Sequence, residues 1–133
     1  KQILLVEDNE INMEIAELYL KELGIVVDKA WNGKEAIDKF EESAPGTYDL
    51  ILMDIMMPVM DGLEASKKIR ELPEGKGKDI PIIAMTANAF SEDVNRSLKA
   101  GMDTHVSKPI DLELLEKELW RLKKSNNYQG ANG

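Results

Sequence analysis

Five polar side chains stand directly after short apolar runs, and their chemical types suit one kind of reaction. They are Glu7, Asp8, Asp54, Thr86 and Lys108. Three carboxylates repel one another at close range unless a cation compensates their charge. Oxygen ligands without His or Cys favour a hard cation such as Mg²⁺. A lysine, a hydroxyl and a carboxylate nucleophile beside that cation suit the transfer of a phosphoryl group.

The apolar runs that precede these side chains predict the strands of a buried sheet. They cover residues 3–6, 25–27, 50–53 and 80–85, with a fifth around His105 and Val106. Nearly continuous Ile, Leu, Met and Val are typical of strands that are covered on both faces.

The segments between the strands have helical spacing. In the first, one helix face carries Ile11, Ile15, Leu18, Tyr19 and Leu23, and Gly24 follows as a C-terminal cap. Further helices are predicted over 34–42, 63–72, 91–100 and 112–124, and the stretch 73–78 is interpreted as an ordinary surface loop. Strands that alternate with helices predict an α/β fold, with a parallel sheet, right-handed crossovers and helices on both faces.

The position of the five polar residues follows from that fold. Open parallel sheets bind ligands beyond the carboxyl ends of their strands. Each residue has an ordinary alternative: Asp8 or Asn9 could cap the first helix, and Lys108 could be a solvated surface lysine. Because all five follow strands at the same end of the sheet, we interpret them as one site.

Composition narrows the class of protein. A chain of 133 residues suits one domain, and the absence of cysteine excludes disulfides, Cys-ligated zinc and thiol catalysis. The net charge of −8 argues against nucleic-acid binding, and no apolar run approaches the roughly 20 residues of a membrane span. We expect a domain over residues 1–124 that contacts neither nucleic acid nor membrane. A polar tail or linker is expected over 125–133.

Four sequence runs resemble the signature segments of response-regulator receiver domains. They are Val6-Glu7-Asp8-Asn9, the MDIMMPVMDG run over 53–62, Met85-Thr86-Ala87 and Ser107-Lys108-Pro109. The resemblance covers about residues 3 to 124, with the motifs in the family's order. It implies a flavodoxin-like (βα)5 doubly wound sandwich with the strand order 2-1-3-4-5. The stretch 8–12 resembles receiver domains of hybrid sensor histidine kinases more than those of free-standing transcription factors.

The resemblance also implies residue roles. Asp54 is the phosphoacceptor, and Lys108 and Thr86 bind the phosphoryl group, with Thr86 moving towards it on activation. The implied ligands of Mg²⁺, for which Mn²⁺ can substitute, are Glu7, Asp8, Asp54 and the backbone carbonyl of Met56. Glu7 stands where many members have Asp, so it would ligate the metal directly or through water.

Three further positions belong to the same implied pocket. Ala87 is small and leaves room for the phosphoryl group, and the peptide before Pro109 is usually cis in this family. His105 stands where many members carry the Tyr or Phe that swings inward with the threonine. Two interpretations of His105 stay open: a partly exposed residue at the sheet edge, or a substitute switch ring with sensitivity to pH.

The implied activity is signalling. A histidine kinase or histidine phosphotransfer domain would donate the phosphoryl group, and the domain would catalyse its own phosphorylation and slow dephosphorylation. Met56 and Asn88 would line the path of the attacking water. Phosphorylation would change partner binding on the face formed by the fourth helix, fifth strand and fifth helix. The expected location is the cytoplasm, where the parent protein could be membrane-anchored.

Three other functions use parts of this pattern. A phosphohydrolase of the haloacid dehalogenase type needs a second Asp two residues after the nucleophile, where Met56 cannot shuttle protons. A flavodoxin-like electron carrier shares the fold, but its phosphate loop would meet the acidic run 7–10. A degenerate receiver would lack the phosphoacceptor, an acidic ligand or the lysine, and all of these are present.

Overall fold

A five-stranded parallel sheet forms the centre of the molecule. The computed structural model describes residues 2–44, 46–55, 57, 59–86, 98–107 and 117. The strands are β1 (Gln2–Val6), β2 (Val26–Ala30), β3 (Leu50–Asp54), β4 (Ile82–Thr86) and β5 (Thr104–Ser107). Their order is β2-β1-β3-β4-β5, and every neighbouring pair is parallel. The five predicted strands and the doubly wound order are confirmed.

Strand boundaries differ from the prediction where the residues are polar or proline. β2 begins one residue later than predicted and extends through Asp28 and Lys29 to Ala30. It lies at an edge of the sheet, where charged side chains are tolerated because one side of the strand faces solvent. β4 begins after Pro81, which has no N–H to contribute to a strand ladder.

Three helices are described in full: α1 (Glu10–Glu22), α2 (Gly33–Glu42) and α3 (Gly62–Arg70). Each begins at a side-chain cap, since Asn9, Asn32 and Asp61 accept a hydrogen bond from the backbone N–H three residues further on. The predicted stop of α1 is confirmed: Gly24 has φ +78° and its N–H donates to the Lys21 carbonyl at 2.9 Å.

The later helices are described only in part. Leu98 and Lys99 are helical, and Gly101 follows with φ +99°. Lys117 is helical as well. The remainder of the helices predicted over 91–100 and 112–124 lies outside the described residues, as does the tail over 125–133.

Helices pack on both faces of the sheet, which gives the molecule two apolar layers. On one face, Ala36 and Phe40 of α2 pack with Ala65 and Ile69 of α3. On the other face the helix residues are Met13, Ala16 and Leu20 of α1. Among the described helices, none is both long enough and apolar enough to cross a lipid bilayer.

Most of the apolar face predicted for α1 does not pack on the sheet, although Leu23 of that face packs against the core. Ile11, Ile15 and Leu18 are exposed, at 67%, 41% and 57%. The buried positions Met13, Ala16 and Leu20 form a second stripe with the same helical spacing. Small Ala16 allows close approach to the sheet, so packing selects this stripe and leaves Ile11, Ile15 and Leu18 in solvent.

The stretch 73–78 is also more than a surface loop, which corrects the earlier interpretation. Gly77 is buried, and a Cβ there would stand 2.0 Å from the Ile69 carbonyl oxygen. Lys76 donates hydrogen bonds to the carbonyls of Glu41 and Ser43 at the end of α2. The segment therefore ties α2 and α3 together.

Candidate functional site

Three carboxylates converge at the carboxyl ends of the central strands. Glu7 and Asp8 follow β1, and Asp54 is the last residue of the neighbouring strand β3. One oxygen from each lies within 4.8 Å of the other two. Glu7 and Asp54 are buried and Asp8 is exposed, so the cluster opens to solvent on one side. The strand pattern predicted this convergence, and we call these three residues the acid cluster.

Backbone contacts hold the first two acids in place. The Glu7 N–H donates to the Ala30 carbonyl of β2 at 3.1 Å, and the Glu7 carboxylate accepts from the Asn9 N–H at 3.2 Å. Asn9 caps α1 by accepting from the Asn12 N–H at 3.0 Å. Of the two candidate caps, Asn9 therefore fills the role, and the Asp8 carboxylate is left to the acid cluster.

The loop that follows Asp54 is closed tightly. The Ile55 N–H donates to the Met85 carbonyl at 3.2 Å, and the Gly62 N–H donates to the Ile55 carbonyl at 2.9 Å. A Cβ on Gly62 would stand 2.1 Å from the Asp54 carbonyl oxygen. No side chain fits there, so glycine is required for the loop to return beside Asp54.

The acid cluster fits a small hard cation. Two oxygens bound to one Mg²⁺ at about 2.1 Å lie at most about 4.2 Å apart. The spacing within 4.8 Å needs only small side-chain shifts, or one ligand acting through water. Carboxylate ligands also favour Mg²⁺ over metals that prefer nitrogen or sulfur.

Thr86 and His105 lie on the neighbouring strands of the same sheet. Thr86 is the buried last residue of β4, next to the strand that carries Asp54. His105 of β5 is half-buried and pairs with Ala84, so strand alternation puts it on the same sheet face as Thr86. This placement is compatible with both interpretations of His105.

Five predicted site positions lie outside the described residues. They are Met56, Ala87, Asn88, Lys108 and Pro109. Their roles, and those assigned to the described site residues, stay predictions.

Sequence reasoning missed one contact beside the site. The Gly33 N–H donates to the Met60 carbonyl at 3.1 Å, and a Cβ at Gly33 would stand 2.6 Å from that oxygen. The start of α2 is thereby fixed against the loop that leaves Asp54. The Asn32-Gly33 pair is a turn signal that marks a close backbone approach, although it does not name the partner.

Comparisons with known proteins agree with this geometry. The fold and the site at its carboxyl edge define a doubly wound α/β domain with an acidic cleft. The response regulator receiver domain family model matches residues 3–119. The chain belongs to the response-regulator receiver family and is a receiver domain of two-component signalling.

Curated relatives include two hybrid histidine kinases of Dictyostelium discoideum. Hybrid signal transduction histidine kinase I is 42% identical over 117 residues, which cover 86% of this chain and 7% of the relative. Hybrid signal transduction histidine kinase L is 39% identical over 134 residues, which cover 98% of this chain and 8% of the relative. The chain therefore spans less than a tenth of these two proteins.

Two solved structures are informative about ligands and partners of similar domains. The receiver domain of sensor histidine kinase PA1611 from Pseudomonas aeruginosa PAO1 has a magnesium ion coordinated in its active-site cleft. It matches with a TM-score of 0.83 and 39% identity, over 92% of this chain and 96% of that one. The second match is a chain of the co-crystal structure of the Saccharomyces cerevisiae phosphotransfer protein Ypd1 with the Ssk1 receiver domain. Its TM-score is 0.78, with 34% identity over 88% of this chain and 84% of that one.

Proposed function

We propose that this domain accepts a phosphoryl group from a phosphohistidine onto Asp54, in a reaction that requires Mg²⁺. The observation that carries the proposal is the acid cluster, in which buried Asp54 lies with Glu7 and Asp8 at the carboxyl edge of the sheet. Three carboxylates kept this close favour a bound cation, because like charges are otherwise unfavourable.

The chain's residues have distinct tasks in this reaction. Glu7, Asp8, Asp54 and the Met56 carbonyl would hold Mg²⁺, and Mn²⁺ would substitute. The bound cation would offset negative charge on the phosphoryl oxygens. An Asp54 carboxylate oxygen bonds to phosphorus while the bond from phosphorus to the donor imidazole breaks. Lys108 would pair with a phosphoryl oxygen, and Ala87 and Pro109 would shape the pocket around it.

The donor is proposed to be a histidine kinase or a histidine phosphotransfer domain. The exposed apolar residues Ile11, Ile15 and Leu18 support a protein donor, because α1 begins two residues after Asp8. A protein docked over the acid cluster would cover part of this stripe. Exposed apolar patches of this kind mark interaction surfaces.

Phosphorylation is proposed to shift an existing equilibrium between two conformations. Thr86 would bind the phosphoryl group better in the active conformation, and His105 would follow it from the same sheet face. The face of the fourth helix, β5 and the fifth helix would then bind its partner. Dephosphorylation would be slow, because Met56 offers no hydrogen bond to the attacking water. We place these events in the cytoplasm, and extend the domain over residues 1–124 with a tail or linker after it.

The test is intact-mass measurement after incubation with acetyl phosphate, with and without Mg²⁺. Wild type should gain about 80 Da, the mass of one phosphoryl group, only when Mg²⁺ is present. Asp54→Asn should gain nothing while keeping the wild-type circular dichroism spectrum. Asp38→Asn is the matched control, because Asp38 is exposed on α2 and should leave labelling unchanged.

A second donor makes a negative result decisive. If wild type gains no mass with acetyl phosphate, phosphorylated Ypd1 is used in its place. Absence of an adduct with both donors would overturn the proposed function in favour of a degenerate receiver. A Mg²⁺-independent adduct, or one that persists in Asp54→Asn, would overturn the assignment of the nucleophile.

A further inference from the structure

Val59 combines high exposure with a strained backbone. It is 80% exposed, the highest value among the exposed large apolar residues in the described part of the chain. Its φ is +68°, in the left-handed region where a β-branched residue is a genuine outlier. A side chain this exposed gains little from packing, so the strain is not offset by burial among the described residues. Strain of this kind concentrates at functional sites.

The loop geometry keeps Val59 close to Asp54. Val59 lies three residues before Gly62, so the two Cα atoms are at most about 11 Å apart. Gly62 packs directly on the Asp54 carbonyl, where an added Cβ would stand at 2.1 Å. The next residue, Met60, is fixed through its carbonyl, which accepts from Gly33 at 3.1 Å. Val59 is therefore presented to solvent at a defined position beside the phosphoacceptor.

A protein donor would cover this position. A weak, transient protein interface buries roughly 600 Å² on each partner, which corresponds to a disc of about 14 Å radius. A disc of that size around Asp54 covers Gly62, which lies against the Asp54 carbonyl, and Val59 lies within about 11 Å of Gly62 on the same loop. A small donor such as acetyl phosphate reaches Asp54 without covering the loop.

We propose that Val59 is a specificity-determining contact for the phosphohistidine-bearing protein donor and contributes nothing to phosphorylation by small donors. This inference rests on the proposed function. Burial of the Val59 side chain under the donor would remove exposed apolar surface from water, which favours the complex. Transfer itself is unchanged: the Asp54 oxygen–phosphorus bond forms as the bond from phosphorus to the donor imidazole breaks.

The test compares two donors on the same variants. Val59→Asn removes the apolar side chain and relieves strain, because Asn tolerates the left-handed region. We expect its KM for phosphorylated Ypd1 to rise about tenfold with kcat nearly unchanged, the loss typical of a central interface contact. Its labelling rate with acetyl phosphate should equal that of wild type, and its Tm should rise. Val59→Ile keeps the branched apolar side chain and should keep the wild-type KM.

A strain-matched control separates recognition from stability. Glu74 has φ +63° and is the other non-glycine residue with positive φ among those described. It precedes β4, at the end of the sheet opposite Asp54. Glu74→Asn should raise the Tm as Val59→Asn does, but leave the KM for phosphorylated Ypd1 unchanged.

Each remaining outcome has a defined meaning. An unchanged KM in Val59→Asn overturns the inference, and so does an equal loss with both donors, which would place Val59 in the Asp54 site itself. Wild type that is labelled by acetyl phosphate but not by phosphorylated Ypd1 also overturns it, and leaves Asp54 as phosphoacceptor. Failure with both donors would count against the proposed function instead.

Discussion

The two ends of the sheet differ in how their charged side chains are paired. At the carboxyl end, the acid cluster brings three like charges within 4.8 Å. At the amino end, the Arg70 guanidinium donates to carbonyls of the segments that enter β4 and β5. Its acceptors are Gly77 at 2.8 Å, Ile80 at 2.6 Å and Gly101 at 2.9 and 2.7 Å. It also pairs with the Asp103 carboxylate at 3.1 Å, which accepts from the Ile82 N–H at 2.8 Å.

This difference separates stability from function within one small fold. Arg70 finds its hydrogen-bond partners inside the chain, so its contacts stabilise the native state without a ligand. The acid cluster brings like charges together, and their mutual repulsion is unfavourable. Functional sites commonly carry such a cost, which is offset elsewhere in the molecule.

Asp28 of the edge strand β2 is paired inside the chain, as Arg70 is at the amino end of the sheet. Tyr48 donates to Asp28, and Lys39 pairs with Asp28 at 3.1 Å. Partial burial alone would raise the pKa of Asp28, but hydrogen bonds from Tyr48 and Lys39 and the charge of Lys39 outweigh burial and lower it. Burial first, and then the hydrogen bond to Asp28 and its charge, raise the pKa of Tyr48. Each group stabilises the other's charge state.

The largest effect on stability is expected at Arg70. Arg70→Ala removes every donor of the amino-end network and leaves half-buried carbonyls unpaired, so unfolding free energy should fall by about 3–4 kcal/mol. Urea unfolding measures this loss. Arg70→Lys should recover only part, because an ammonium cannot reproduce the planar fork. A loss below about 1 kcal/mol for Arg70→Ala would contradict the stabilising role assigned to the amino-end network.

Tyr48→Phe should cost about 1–2 kcal/mol at neutral pH, because it removes a hydrogen bond to a charged group. The Asp28 pKa is lowered by folding, so its stabilisation is present above the unfolded value of about 3.9 and is lost as pH falls further. The raised Tyr48 pKa contributes stability below about pH 10 that is lost as pH rises above it. Urea unfolding at a series of pH values should therefore show the largest loss of unfolding free energy in Tyr48→Phe between about pH 4 and pH 10. A deficit that does not vary with pH would rule out the linkage.

At the acid cluster, removal of a charge should raise the free energy of unfolding rather than lower it. Asp8→Asn removes one like charge, so without Mg²⁺ it should raise the unfolding free energy by about 0.5–1 kcal/mol. Added Mg²⁺ should raise the Tm of wild type, because a ligand that binds the native state stabilises it, and this increase should shrink in the variant. Thermal unfolding with and without MgCl₂ tests both effects. Asp38→Asn, away from the cluster, should show neither.

The smallest effect is expected inside α3, between the two ends. Ser66 is fully buried, and its Oγ has no hydrogen-bond partner among the described residues. Ser66→Ala should therefore be neutral or stabilising by about 0.5 kcal/mol, because it removes a desolvated hydroxyl. Ser43→Ala is the contrasting control: the Ser43 hydroxyl donates to the Phe40 carbonyl at 2.6 Å, and its loss should destabilise by about 0.5–1 kcal/mol. Equal effects of the two changes in urea unfolding would contradict the distinction.

Much of the fold and part of the site followed from sequence because both depend on local signals. Buried central strands are nearly continuous apolar runs, and β1, β3 and β4 were located on that basis alone. The residues after β1 and β3 then had to meet at one edge of a parallel sheet, which predicted the acid cluster. Asn9 marked the start of α1 by capping and Gly24 marked its end by its backbone conformation, and both signals are local.

The face that α1 buries could not be predicted in the same way. Two apolar stripes share the helical period, one with Ile11 and Ile15 and the other with Met13 and Ala16. Periodicity identifies an amphipathic helix, but only the shape of the sheet surface decides which stripe packs. Ile11, Ile15 and Leu18 remained exposed, on the side where the chain is proposed to receive a partner.

The sequence by itself determined the parallel sheet, the acidic site and the family of this chain. Only the tertiary structure decided the partners of Arg70, the pairing of Tyr48 with Asp28 and the exposure of Val59. Arg70 and Asp103 are 33 residues apart, and Tyr48 and Asp28 are 20 apart. Contacts over such separations form because packed strands and helices bring distant segments together, and no local pattern of residues records which segments will meet.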